Sequence, residues 1–192
     1  MEYWDLFDAA RRPSGRRHKK GEPVPEGFYH QVIHLALFTE EGRLLSQKRS
    51  QEKRSWAGLW DISLSGSVKA GETPAEGLRR EAKEELGLAL PTDLKRPAFS
   101  VNGPHYFDDY FILITALDPD RLVLQKEEVE AVRLLTEEEA ARLWRRRAFV
   151  PYDPAFLRYL FQLGRAESHE NFSAEAYRFQ IHKSGILPDR TS

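Results

Sequence analysis

The segment Gly66–Leu88, reading GSVKAGETPAEGLRREAKEELGL, constrains this chain more than any other. Thr73 can cap a helix whose first residue is Pro74, and Glu76 completes a capping box three residues on. Gly87 supplies the stop. The spacing therefore predicts a helix over 74–86. At about 100° per residue, Ala75, Leu78 and Ala82 share an apolar face, with Leu86 a little further round. Glu81, Glu84 and Glu85 share the neighbouring face, and Gly77, one turn earlier, is expected to leave open space beside them. Three carboxylates on one face repel each other. They make sense if a divalent cation sits among them. Hard oxygen ligands suit magnesium, which completes its shell with waters and phosphate oxygens. Glu72 lies near the positive end of the helix dipole, and Arg80 is placed to pair with it.

Around this helix the chain alternates strands and helices. Tyr3–Phe7 reads as an edge strand, Arg12-Pro13-Ser14-Gly15 as a turn, and the basic run Arg16–Lys20 as a return strand with a solvated face. Further strands are predicted at 31–39, 43–49, 60–64, 98–101, 110–117 and 131–135, with Glu40-Glu41-Gly42 as a hairpin turn. Thr136 and Glu139 form a second capping box, and a third helix is predicted over 154–163. This mixed order implies an α/β chain, a sheet with helices packed on its faces. The boundaries drawn are an N-terminal hairpin extension (1–29), a core (30–163) and a tail (164–192) to which no structure is assigned.

Lys plus Arg number 29 against 30 for Asp plus Glu, a net charge of −1. That balance disfavours polymeric nucleic acid as a partner and favours a small anion gripped locally. The absence of cysteine excludes disulfides, thiolate zinc sites and a cysteine nucleophile. No signal peptide and no membrane-length apolar run is visible, so a cytoplasmic protein without membrane contact is expected.

Gly66, Glu72, Arg80, Glu81, Glu84, Glu85, Gly87 and Leu88 fall on the Nudix box, G-x5-E-x7-R-E-U-x-E-E-x-G-U, and the chain resembles that superfamily. Ala82 is smaller than the usual aliphatic residue. Seven fixed polar and glycine matches arise by chance about once in 10^8 windows at average residue usage. The resemblance implies a mixed β-sheet sandwiched between α-helices. It also implies magnesium, with manganese as a substitute, held by Glu81, Glu84 and Glu85 with the Ser65 carbonyl as a further ligand. Gly66, Glu72, Arg80 and Gly87 would be structural. The expected reaction is hydrolysis of a phosphoanhydride bond in a nucleoside diphosphate derivative or other small organic diphosphate by an activated water. In the family the base is either the first helix glutamate, here Glu81, or an acid from a later loop. Asp108, Asp109, Glu127 and Glu128 are the candidates here, and Asp109 is the one selected. A homodimer is compatible with this reading.

Upstream, Gln47-Lys48-Arg49-Ser50, Lys53 and Trp56-Ala57-Gly58-Leu59-Trp60 resemble the segment preceding the box in type I isopentenyl-diphosphate isomerases and isomerase-like Nudix hydrolases. Arg49 and Lys53 are the expected diphosphate contacts; surface pairing with Glu52 is the alternative. Trp56 and Trp60 are read as core or site-wall aromatics, and Tyr106, Phe107, Tyr152 and Phe172 as further pocket candidates. The isomerase alternative needs a cysteine where this chain has Ser65, and a histidine where it has Ser67. A third alternative, a ligand-sensing domain without catalysis, is disfavoured by the intact glutamate set.

Overall fold

The central strand, β3 (His30–Phe38), is apolar on both faces, as a strand covered on both sides must be. The computed structural model, which describes residues 1–94 and 96–165, places it at the middle of a mixed sheet. It pairs in parallel with β8 (Tyr106–Ile114) along its whole length, and β8 pairs antiparallel with β7 (Phe99–Asn102). On its other side β3 meets β6 (Leu64–Ser67) from Val32↔Ser67 to Leu35↔Leu64. A turn at Thr39–Gly42 leads to β4 (Leu44–Arg49), which touches β3 only at Phe38↔Leu44. β4 then diverges to pair with β5 (Trp60–Asp61) and β9 (Val129–Leu135). Ser63 closes the fork: its hydroxyl accepts from Leu37 N at 2.8 Å and donates to Leu45 O at 2.6 Å.

The two faces of β3 define two cores. Ile33, Leu35 and Leu37 pack with Phe111 and Leu113 under Leu78, Ala82 and Leu86 of helix α1 (Pro74–Leu86). Ala36 and Phe38, with Tyr110 and Ile112, lie under helices α2 (Glu137–Arg145) and α3 (Pro154–Gly164). Each fully buried leucine contributes roughly 1.5–3 kcal/mol of transfer free energy. The expected sheet between helices is what forms.

Three expectations need correction. The region 60–64 is not one strand: Asp61 turns back to accept from Ile62 N, and the chain leaves β4 for β3. β8 begins at Tyr106, because β3 offers a parallel partner from His30 onward. In the N-terminal hairpin of β1 (Tyr3–Phe7) and β2 (Pro13–Lys19), the turn lies at 8–12 rather than 12–15. The Asp8 carboxylate accepts from the backbone N–H groups of Ala10 and Arg12 and stabilises Arg11 at φ 59°. Phe172 and the rest of the tail from 166 lie outside the described residues.

Candidate active site

The box folds locally as its caps dictate. Thr73 Oγ1 accepts from Glu76 N, Glu76 accepts from Thr73 N, and Gly87 ends α1 at φ 66°. Gly66 lies on β6 directly beneath Glu81: a β-carbon there would stand 2.8 Å from the Glu81 carboxyl carbon. A side chain there would push the Glu81 carboxylate out of its present position. Gly77 serves differently from what its position suggested. Its open side faces the loop before the helix, with Glu72 Oε2 at 3.4 Å and Val68 at 3.5 Å from where a β-carbon would be.

Arg80 and Glu72 form the expected brace as a two-pronged pair, Nε to Oε1 at 2.7 Å and Nη2 to Oε2 at 3.0 Å. Glu72 also accepts from Lys69 N, and Arg80 donates to Ser67 O, so the loop is tied to the helix at both ends. Burial works most strongly against the charged form of Glu72, but the Arg80 hydrogen bonds, the Lys69 N–H and the charges of both residues together outweigh it and hold the carboxyl below its ordinary range. Arg80 extends further than expected, to Glu81 Oε1 at 2.8 Å and Glu84 Oε2 at 3.1 Å.

Glu81, Glu84 and Glu85 border one cleft of about 600 Å³ together with Ser65, Gly66, Arg49 and Lys53. Glu84 is half exposed, whereas Glu85 is buried to 4%. Burial pushes Glu85 up to about 8; Lys53 opposes this, and the charges of Glu81 and Glu128 add to it. Glu81 is also raised, again chiefly by burial, with Arg80 opposing. Among the described residues no three acidic or histidine side chains already converge on one ion position. The reason is visible in the pairing: Glu81 and Glu84 are turned onto Arg80, and Glu85 faces Lys53 at 3.9 Å. The donor set itself, three carboxylates on one wall, suits a hard divalent ion that would displace these internal cations.

The remaining site candidates separate. Lys53 reaches the cleft and pairs with Glu128, not with Glu52. Arg49 also borders the cleft, but its guanidinium is anchored, with Nη1 on Asp61 Oδ2 at 3.1 Å and Nε on Ser55 O. Glu127 and Glu128 line the same cleft. Asp109 does not: it is 1% exposed and held by Arg11 Nη1 at 2.9 Å and Ser100 Oγ at 2.5 Å. Asp108, on the opposite face of β8, accepts the hydrogen bond of His34 at 3.0 Å, and the other ring nitrogen of His34 meets Ser65 Oγ at 3.0 Å. Tyr152 donates to Asp61, and Phe107 lies buried beneath the Arg11 guanidinium. Trp56 is 52% exposed at φ 55°, so it is not a core residue.

The docking of the hairpin was not legible in the sequence. Ala70 N donates to Tyr3 O and Gly71 N to Asp5 Oδ2, Trp4 stacks on His30 at 3.9 Å, and the hairpin thereby brings Glu2 and Lys20 to the cleft.

Among the described residues no helix is long and apolar enough to cross a membrane. Residues 28–160 match the NUDIX domain family. The chain is 40% identical over 166 residues to a Nudix hydrolase of Listeria monocytogenes, covering 86% of this chain and 97% of the relative. It is 35% identical to Nudix hydrolase 3 of Arabidopsis thaliana, covering 79% of this chain and 22% of that longer protein. Similarity to an isopentenyl-diphosphate Delta-isomerase of Salmonella heidelberg is 36% identity over 48% of this chain and 51% of the isomerase. A solved structure from Deinococcus radiodurans superposes with a TM-score of 0.66 at 23% identity, covering 83% of this chain and 99% of that one, a likeness of fold. With its box folded as loop, capped helix and loop, with residues 28–160 matching the family and with a Listeria relative matched along 97% of its length, the chain belongs to the Nudix family and is a Nudix hydrolase.

Proposed function

We propose that the protein hydrolyses a phosphoanhydride bond in a nucleoside diphosphate derivative or another small organic diphosphate, with magnesium as its metal. One observation carries this reading: the carboxylate ridge Glu81–Glu84–Glu85 opens onto a cleft that also contains Arg49 and Lys53. Carboxylates suit the hard cation, and Lys and Arg suit the phosphate oxygens it leaves exposed. The ion, when bound, withdraws charge from the phosphate and lowers the pKa of water. Glu81, Glu84 and Glu85 would hold it, with the Ser65 carbonyl as a further oxygen. Glu72 and Arg80 would keep the loop in place. Lys53, released from Glu128, and Arg49, kept rigid by Asp61, would orient the diphosphate. Glu128 is our choice of general base, because its charge already acts on Glu85 at the cleft wall and Asp109 is committed to Arg11. Alkene isomerisation is disfavoured: it needs a cysteine acid where this chain has Ser65.

A phosphate-release screen over nucleoside diphosphates, triphosphates, nucleotide sugars and prenyl diphosphates, with magnesium, manganese or EDTA, tests the proposal. Turnover of at least one class with magnesium or manganese, abolished by EDTA, is expected. Turnover by purified protein in EDTA, or proton NMR showing isopentenyl diphosphate converted to its allylic isomer, would overturn it.

A further inference from the structure

Three neighbouring strands bring a serine, a histidine and an aspartate into one row beside the cleft. Ser65 of β6 stands opposite His34 of β3, and Asp108 of β8 lies diagonal to His34, beside Val32. A chain of hydrogen bonds crosses the sheet through them: Ser65 Oγ with His34 Nδ1 at 3.0 Å, and His34 Nε2 with Asp108 Oδ1 at 3.0 Å. The ring is buried and lies flat against Tyr110, their centroids 4.4 Å apart. With one proton the imidazole donates to Asp108, whose carboxylate only accepts, and takes the Ser65 hydroxyl proton in a hydrogen bond; with two it donates to both. Ser65 Oγ is held in either state.

The strand ladder shows what that hold controls. Val68 N donates to Gln31 O, so the backbone-bonded pairs of β3 and β6 are 31 with 68, 33 with 66 and 35 with 64. His34 and Ser65 form a pair of the other kind, in which side chains approach closely and the backbone groups turn outward. The Ser65 carbonyl therefore points away from β3, on the side where β6 has no second strand partner among the described residues and where Ser65 borders the cleft. Ser67, the next residue of the same kind, turns its carbonyl the same way and gives it to Arg80. No backbone bond to β3 fixes the angle of the Ser65 peptide. Its side chain does, through His34.

We propose that His34 and Asp108 are positioning residues: through the Ser65 hydroxyl they set the direction of the Ser65 carbonyl, the oxygen offered to the metal beside Glu81, Glu84 and Glu85. This rests on the metal-dependent hydrolase reading. Asp108, which the sequence offers as a base, acts instead from the α2–α3 side of the sheet, as the anchor of the histidine. Groups that orient a ligand in this way govern how tightly the ion is held.

Manganese binding to metal-free protein, read from the EPR signal of the free aqua ion, tests the proposal without turnover. Threonine and valine have nearly the same shape and differ in the hydroxyl. Ser65→Thr is expected to bind manganese within about twofold of wild type, whereas Ser65→Val and Asp108→Ala should each bind roughly tenfold more weakly. Thr136→Ala, which weakens the distant cap of α2, should leave affinity unchanged and so separates general loosening from loss of the clamp. Equal affinity of Ser65→Val and Ser65→Thr, both tight or both weak, would overturn the proposal, as would wild-type affinity in Asp108→Ala. Wild type that binds no manganese, or Glu84→Gln that binds it as tightly as wild type, would instead bring down the parent reading. Melting temperatures in EDTA show which variants are folded; if Ser65→Val is not, Asp108→Ala decides.

Discussion

Helices α1 and α2 begin alike and end in different chemistry. Each opens with a threonine capping box, Thr73 with Glu76 and Thr136 with Glu139, and each is rich in glutamate and arginine. On α2 the acids are spread over cap and surface: Glu139 completes the cap, Glu137 meets Arg165, and Glu138 is 78% exposed and 3.8 Å from Arg142, a pair worth at most a few tenths of a kcal/mol. On α1 three acids line one cleft, Glu85 buried, Glu81 largely so and Glu84 half exposed. Glu85 is buried and raised to about 8, and Arg80 is engaged by Glu72, Glu81 and Glu84 together. Glutamate and arginine on a capped helix stay simple surface pairs where water screens them, and gather into a cleft-lining cluster where packing buries them.

The largest expected contrast is catalytic. Glu85→Gln and Glu84→Gln should each lower kcat by about 100-fold or more, since each would remove a charge partner of the proposed metal. Glu138→Gln on α2 should leave kcat within a factor of two. Steady-state rates with magnesium test this, and near wild-type turnover in both α1 variants would remove the comparison's basis.

Next comes stability. Arg80→Ala should cost about 1.5–3 kcal/mol because it strips the charged hydrogen bonds from a half-buried Glu72. Arg142→Ala should cost under about 0.5 kcal/mol. Thermal melts in EDTA measure both. If Arg80→Ala melted like wild type while its turnover collapsed, the arginine would act on substrate rather than as a brace.

A smaller effect follows from burial of Glu85 in the metal-free protein. Its folded pKa lies above the unfolded value of 4.5. Its contribution is therefore whole below about pH 4.5 and is lost as pH rises through about 8. Melting temperature in EDTA should fall over that window, and Glu85→Gln should flatten the fall. An unchanged slope in the variant would show that Glu85 ionises normally.

The smallest contrast should vanish altogether. Thr73→Ala and Thr136→Ala should each cost about 1 kcal/mol, because the two caps are the same local device. A clearly larger loss at Thr73 would mean that the cap also supports the metal loop.

These comparisons follow the line between local and long-range information. Helix α1, its caps, its apolar stripe and the grouping of its three glutamates were readable from spacing alone, because a helix sets the neighbours of residue i at i+3 and i+4 by geometry. The central strands were readable from their apolar runs, and Arg80 with Glu72 from their placement around one helix start. The strand boundaries at 60–67 and 106–114 were not, since a strand lasts as long as its partner does, and the partner is distant in sequence.

What tertiary structure alone decided is which distant group arrives beside each titratable side chain. Asp108 and Asp109 are adjacent and chemically identical, yet they point to opposite faces, one to His34 and the other to Arg11, 98 residues away. Lys53 could have met Glu52 beside it but meets Glu128. Lys20 belongs to a run that reads as a solvated strand and reaches the cleft only because the hairpin docks on residues 70 and 71. Composition and periodicity carry the type and facing of each side chain. They carry no record of contacts made across long loops, where packing of the whole chain selects the partner.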